Sequence, residues 1–365
     1  MLPRYVIWLC GLWWGSSLAF GEPPTPLEPI QVTADGRGFE TTRSKQKFRP
    51  VGFNYDHDRE GRLIEDYWET DWPAIEQDFS EMRQLGAQVV RVHLQFGKFM
   101  KDAQTAHPQA LTRLTDLLTL AERTGLYLDL TGLGCYHKAD VPAWYDALNE
   151  EQRWAAQAVF WTAVARTSAA SPAVFCYDLM NEPVVPGGKR NAGDWLGPAF
   201  AGKHFVQVIT LDQQDRPRPE IARQWARQMV AAIRTVDPQH LITIGMVDWS
   251  LDRPGLTSGF VPSIVGPELD FIAVHLYPES GKRRENLETL QGFRIGKPVV
   301  IEETFPLKCS AEELEAFLDE AQPDGLIGFY WGQTLDELTP PQTIGEGLTK
   351  NWLELFRRRA MDAVP

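Results

Sequence analysis

Val51-Gly52-Phe53-Asn54 and Val89-Val90-Arg91-Val92-His93-Leu94 are two short apolar runs, and between them Ile75, Phe79, Met82 and Leu85 recur at three- and four-residue spacing. Runs this short and nearly continuous suit strands buried on both faces, whereas the spacing between them suits a helix with one apolar stripe. Asp71 before Pro73 marks the helix start. Strand, helix and second strand in that order form the repeating unit of a parallel sheet.

The same rhythm continues along the chain. Further apolar runs begin at Leu126-Tyr127-Leu128-Asp129-Leu130, Val174-Phe175-Cys176-Tyr177, Leu241-Ile242-Thr243-Ile244, Phe271-Ile272-Ala273-Val274-His275, Pro298-Val299-Val300-Ile301 and Leu326-Ile327-Gly328-Phe329-Tyr330. Ile221, Trp225, Met229, Ile233 and Val236 mark a helix in one gap, and Ser310-Ala311-Glu312-Glu313 is a capping box in another. The connection from Arg253 to Glu268 leaves room for little helix, because Pro and Gly interrupt it. Eight such strands predict an α/β fold of the (β/α)8 TIM-barrel class. An open doubly wound sheet is the alternative, but no glycine-rich phosphate loop follows the first strand.

Outside the barrel rhythm, residues 1–21 carry Arg4, an apolar stretch from Tyr5 to Phe20 and small-x-small at Ala19-Phe20-Gly21, the pattern of an export signal. Residues 22–30 read as a Pro-rich linker, and residues 31–365 as a single catalytic domain. That domain opens with a β-hairpin from Gln31 to Pro50, turned at Asp35-Gly36, whose Phe39 and Phe48 are placed to plug the barrel bottom. A long insertion, Val184 to Pro219, follows the fourth strand and is expected to form a lid or wall of a cleft.

Composition narrows the partners. Lys plus Arg number 36 against 49 Asp plus Glu, a net charge of −13, and no basic stripe is present. Nucleic acid and an anionic membrane surface are therefore disfavoured. The 13 Trp residues suit a saccharide, whose C–H faces stack on indole. Beyond Cys10 in the leader, only Cys135, Cys176 and Cys309 remain, too few for a disulfide framework, and no Cys-x-x-Cys or His-x-x-x-His pair is present. The expectation is a monomer, free of the membrane once the signal is removed, with no metal and no organic cofactor.

In a barrel the active site lies at the C-terminal ends of the strands. The polar residues there are Asn54, Arg91, His93, Asp129, Asn181, Glu182, His275, Tyr277, Glu302, Glu303 and Trp331. Glu182 and Glu303 end the fourth and seventh strands and face each other across the mouth. Such a pair cleaves a glycosidic bond with retention when one carboxylate attacks and the other protonates the leaving oxygen. Arg91 is placed to keep Glu303 ionised.

On Leu179-Met180-Asn181-Glu182-Pro183 and Pro298-Val299-Val300-Ile301-Glu302-Glu303-Thr304-Phe305, residues 50 to 335 resemble glycoside hydrolase family 5, of the cellulase or mannanase type. The resemblance implies a retaining β-glycoside hydrolase of β-linked glucan or mannan poly- or oligosaccharides, with Glu182 the acid/base and Glu303 the nucleophile. It also implies that Asn181 contacts a sugar hydroxyl, Arg91 supports the nucleophile, His275 and Tyr277 line the site, and Trp331 floors the subsite of the distorted ring. Asn54 joins this set as a substrate-binding candidate.

One departure concerns the third strand. The family carries a His two residues after the Asp, where this chain has Thr131, and His137 is the candidate replacement. A transglycosylase would use the same site, and a non-catalytic carbohydrate-binding barrel is the reading that the missing His favours. Glu302 is expected on the opposite pleat from Glu303, toward the helices, as a salt-bridge partner. Asp56-His57-Asp58 is expected in a loop at the mouth, and Tyr136, Trp144, Trp195 and Trp249 are candidates for outer subsites.

Overall fold

A computed structural model describes residues 26–253 and 255–362. The expected export signal and the start of the expected linker lie outside the described residues. Eight parallel strands close into a barrel. In chain order they are Val51–Tyr55, Val89–Gln95, Tyr127–Gly134, Val174–Asn181, Leu241–Val247, Ile272–His275, Val299–Glu303 and Gly325–Phe329. All eight sites proposed from the apolar runs are strands. The third and fourth run about one turn of pleat further than their apolar residues do, carrying Thr131 and Asp178 into the barrel.

Helices cover the outside because their stripes match it. The helix Trp72–Gln84 buries Ile75, Phe79 and Met82, and the helix Arg218–Arg234 buries Ile221, Trp225, Met229 and Ile233. Ser310 caps the helix Ala311–Ala321 by accepting from the Glu313 N–H, and Glu313 returns the bond. The Arg253–Glu268 connection holds only the one-turn helix Pro262–Val265 and the 3-10 turn Gly266–Glu268. Gly52 allows the first two strands to meet, since a Cβ there would lie 1.8 Å from the Val89 carbonyl oxygen.

The N-terminal segment is a three-stranded antiparallel sheet, Ile30–Val32, Phe39–Thr41 and Lys47–Phe48, one strand more than a hairpin. Ile30 pairs back onto Thr41, so the strand begins inside the expected linker. Phe39 packs edge-on against Phe175 and Phe271, and Phe48 against Tyr127. A buried Phe contributes about 1.5–3 kcal/mol, so this plug fastens the sheet to the barrel bottom and leaves the opposite mouth for chemistry. Among the described residues Cys135, Cys176 and Cys309 form no disulfide. No helix among the described residues is long and apolar enough to cross a membrane.

Candidate active site

At the centre of the mouth lies Arg91, fully buried on the second strand. Its Nη1 donates to Glu303 Oε1 at 2.7 Å and to Asn54 Oδ1 at 2.8 Å. Its Nη2 donates to Asp178 Oδ2 at 2.6 Å and to Asn181 Oδ1 at 3.0 Å, and lies 3.5 Å from Glu302 Oε2. A planar guanidinium can serve so many acceptors at once because its donors are fixed in a fork. Asp178 is held in turn by the Thr131 hydroxyl at 2.9 Å and the Gly245 N–H at 2.7 Å. Thr131, standing where a His was expected, thus positions a carboxylate under the site.

Glu303 also accepts from the Tyr277 hydroxyl at 2.8 Å. Two strong donors fix both of its oxygens and favour the ionised form. Burial works the other way and raises the carboxyl above its usual value, against the pull of His275 and Arg91. Arg91 is therefore a counterweight to burial rather than a cause of a low pKa.

Glu182 is the freer of the two. Its one side-chain partner among the described residues is His275, whose Nδ1 lies 3.0 Å from Glu182 Oε1 and 3.4 Å from Glu303 Oε2. Glu182 sits at φ 47, a left-handed conformation that is costly away from glycine, and its N–H donates to the Gly245 carbonyl. This turn ends the strand and swings the side chain over the barrel axis. One carboxylate oxygen from each glutamate and an imidazole nitrogen of His275 all lie within 4.8 Å of one another.

Burial would hold the His275 imidazole neutral, yet the charge of Glu303 and the hydrogen bonds to Glu182 and Glu302 raise its pKa to about 10. The charged form therefore stabilises the fold at every pH below the unfolded value of about 6.5, and that contribution fades as pH climbs through 10. Thermal melts of the parent and a His275→Gln variant are expected to differ by several degrees at pH 6 and to converge toward pH 10. A gap that widens with pH would show that the imidazole is not the cation here.

Two expectations fail for reasons of local geometry. Glu302 does not face the helices: pairing between the sixth and seventh strands slips, Val274 opposite Ile301 but His275 opposite Glu303, so both glutamates turn inward. Glu302 is fully buried beside Arg91 and accepts from His275 Nε2 at 3.3 Å. His137 does not replace the third-strand His. The chain leaves the barrel there, and His137 precedes the surface turn Lys138–Asp140, is half-buried and is not among the residues lining the cavity with the glutamates.

Asn54 and Asn181 are brought to the cluster but are committed to protein. Asn54 Nδ2 donates to the carbonyls of Glu302 and Gly328, and Asn181 Nδ2 donates to the Phe205 carbonyl at 3.0 Å. Neither is among the residues lining the cavity, and both brace the cluster through these bonds.

Above the cluster opens a cavity of about 350 Å³, lined by Glu182, Glu303, Tyr277, Trp331, His93 and His57 among others. Trp331 donates to Asp56 Oδ1 at 3.2 Å and stacks at 9° on His57, so the Asp56–Asp58 loop does stand at the mouth. His93 is held by the Tyr136 hydroxyl at 2.5 Å, and burial together with Arg91 keeps it neutral. Tyr136, Trp144, Trp195 and Trp249 line no part of the cavity and pack instead, Trp195 against the Arg153 guanidinium. A larger hollow of about 690 Å³ at the other end of the barrel, beside Phe48 and Arg359, holds none of the catalytic candidates.

Two sets of three groups have the spacing of metal ligands, Glu182 with His275 and Glu303, and Asp129 with Asp178 and Glu302. In each, a cation of the protein already stands among the carboxylates, His275 in the first and Arg91 in the second. Among the described residues no N–H or O–H donor meets either oxygen of Asp129, and burial, reinforced by the charge of Glu302 beside it, pushes its carboxyl well above the usual range.

A parallel barrel with opposed glutamates at the ends of its fourth and seventh strands defines the class of the barrel glycosidases. The model of the cellulase family, glycosyl hydrolase family 5, matches residues 37–322. The chain belongs to that family. It is 25% identical over 275 residues to the mannan endo-1,4-beta-mannosidase A of Podospora anserina, a match covering 66% of this chain and 64% of that protein. The chain thus spans slightly less than two thirds of the curated relative it matches.

Among solved structures, the exo-beta-1,4-mannosidase of Opitutaceae bacterium strain TAV5 superposes with a TM-score of 0.64 at 19% identity, covering 92% of this chain and 63% of that one. The beta-mannanase of the blue mussel Mytilus edulis superposes with a TM-score of 0.60 at 16% identity, covering 90% of this chain and 96% of that one. These likenesses support the fold.

Proposed function

We propose that the protein is an exported, retaining β-glycosidase acting on β-linked, mannan-type saccharides. The observation that carries this is the glutamate pair, with oxygens of Glu182 and Glu303 within 4.8 Å. Retention uses carboxyl groups ~5–5.5 Å apart, and inversion needs ~6.5–9.5 Å to seat a water behind the sugar. The narrow gap supports retention.

Glu303, fixed by Arg91 and Tyr277, attacks the anomeric carbon and forms a glycosyl ester. Glu182, the more accessible carboxyl, gives its proton to the departing oxygen as the glycosidic bond breaks. A water then loses a proton to Glu182 and attacks the same carbon, and Glu303 leaves as a carboxylate. The mannan-type substrate is supported by the likeness to the mannan endo-1,4-beta-mannosidase A of Podospora anserina, and export by the pattern of residues 1–21.

Proton NMR during hydrolysis of an aryl β-mannoside tests the reading. The β-anomer of the released sugar is expected to appear first, with the α-anomer growing only by mutarotation. Initial release of the α-anomer would exclude the double displacement. Binding without turnover across mannosides and glucosides would leave a saccharide-binding barrel.

A further inference from the structure

The insertion after the fourth strand does more than border the cavity. From Pro183 it crosses the third-strand loop, where the His204 N–H donates to the Tyr136 carbonyl and Gln207 Nε2 to the Leu133 carbonyl at 2.8 Å. Its tip then reaches the loop after the first strand, where a Cβ on Gly61 would lie 3.3 Å from Lys203 Nζ. Both loops are stiff. The tip is a two-residue turn in which Phe200 and Lys203 exchange backbone hydrogen bonds at 2.8 and 2.9 Å, with Ala201 at φ 48 and Gly202 at φ 79. The opposing loop is fastened by Asp58, which accepts from the Glu60 and Arg62 N–H groups and from Arg62 Nε.

The bridge roofs the mouth from the fourth strand back to the first. What remains open lies toward the loop after the seventh strand, where Leu307 (56% exposed) stands with Phe200 (68% exposed) on the rim of the same cavity. At about 350 Å³ the space is near the lower end of the ~300–1,000 Å³ typical of small-ligand pockets. That suits a chain end rather than a polymer lying through a groove.

Lys203 is the unusual member of this roof. It is 6% exposed, lines the cavity, and makes no side-chain hydrogen bond or ion pair with any described residue. Its stem is buried while its ammonium reaches the open space of the cavity, so its donors are available to oxygen acceptors brought by a ligand.

We infer that the insertion closes one end of the cleft, so that the enzyme removes single terminal sugars, and that Lys203 selects the terminal unit by donating to its outer hydroxyls. This rests on the glycosidase reading above. Linear β-1,4-mannooligosaccharides labelled at the reducing end, and a β-1,4-mannan followed by viscosity, are the probes. The wild type is expected to shorten the oligosaccharides one unit at a time from the unlabelled end while the viscosity of the mannan hardly falls.

Lys203→Ala is expected to raise KM for these oligosaccharides about tenfold or more, the cost of one lost charged hydrogen bond, with a smaller change in kcat. Lys203→Gln, which keeps a donor, should lie between the two and serves where the Ala variant folds poorly. The discriminating readout is a set of aryl β-mannosides deoxygenated singly at the 3, 4 or 6 position. At least one of them should be poor for the wild type yet lose nothing further in the Lys203→Ala variant.

Rapid loss of viscosity with a spread of internal fragments would overturn the closed end. Equal losses in Lys203→Ala on the parent and on every deoxy substrate would overturn the role of Lys203. Failure to hydrolyse any mannoside or glucoside would be a different result, removing the glycosidase reading and this inference with it.

Discussion

Glu303→Ala is expected to lower kcat on aryl β-mannosides by about 10³- to 10⁶-fold, with the barrel still folded. Removal of the carboxylate takes away the attacking atom, but Arg91 Nη1 and the Tyr277 hydroxyl remain, pointed at the vacated space. A small anion such as azide should fill it and attack the anomeric carbon from the same side, expelling the aryloxide in a single displacement, restoring turnover and giving the α-mannosyl azide. Glu182→Ala should behave differently. A good leaving group such as dinitrophenolate needs little proton help, so the first step should survive and the glycosyl-enzyme should accumulate in a burst. Poor leaving groups should lose about 10²- to 10⁴-fold. The two variants therefore separate attack from proton transfer. Identical losses across leaving groups in both, with no anion rescue in either, would mean that the bond-breaking pair lies elsewhere.

How far this site was legible depends on the local rule that governed each residue. Glu303 stood out because it ends an apolar run at the C-terminal end of a parallel strand, a strong signal where pleat alternates with helix stripe, and Glu182 because it lies in Leu179-Met180-Asn181-Glu182-Pro183 at the same end of the fourth strand. Asp178 was missed because the apolar run stops at Tyr177, whereas the strand continues to Asn181. A polar residue inside a barrel has no hydrophobic signature. Glu302 was turned the wrong way because strict alternation assumes no bulge, and the slip beside His275 is set by pairing with a neighbouring strand. Asn54 and Asn181 were placed in the right cluster. Their amides, however, are taken up by carbonyls from residues far along the chain, among them Phe205 of the insertion. Lys203 gave no local sign at all, since its importance comes from a turn that reaches across the mouth to Gly61.

Substitution of Arg91 should have the largest effect on stability. Its guanidinium is fully buried and touches Asp178, Glu302 and Glu303, so an Arg91→Met variant leaves three acidic groups without that cation. Breaking a buried ion pair from one side costs about 3–5 kcal/mol, and here several partners are orphaned together. The loss should appear in chemical denaturation at pH 7 and shrink toward pH 4. Without Arg91 the native carboxyls bind protons more readily than before, so acid relieves the variant while removing what the cation contributes to the parent. Arg91→Lys should recover part of the stability but little activity, since one ammonium cannot hold Asn54, Glu303, Asp178 and Asn181 in their separate directions. A triple change, Arg91→Met with Asp178→Asn and Glu302→Gln, should restore more stability than Arg91→Met alone, because the removed charges no longer need a counter-ion. Turnover should stay low, with Glu303 freed from the donor that aims it. Full stability in the single Arg91→Met variant at pH 7 would show that these carboxyls are protonated in the native state, and that Arg91 does not set the charge of the nucleophile.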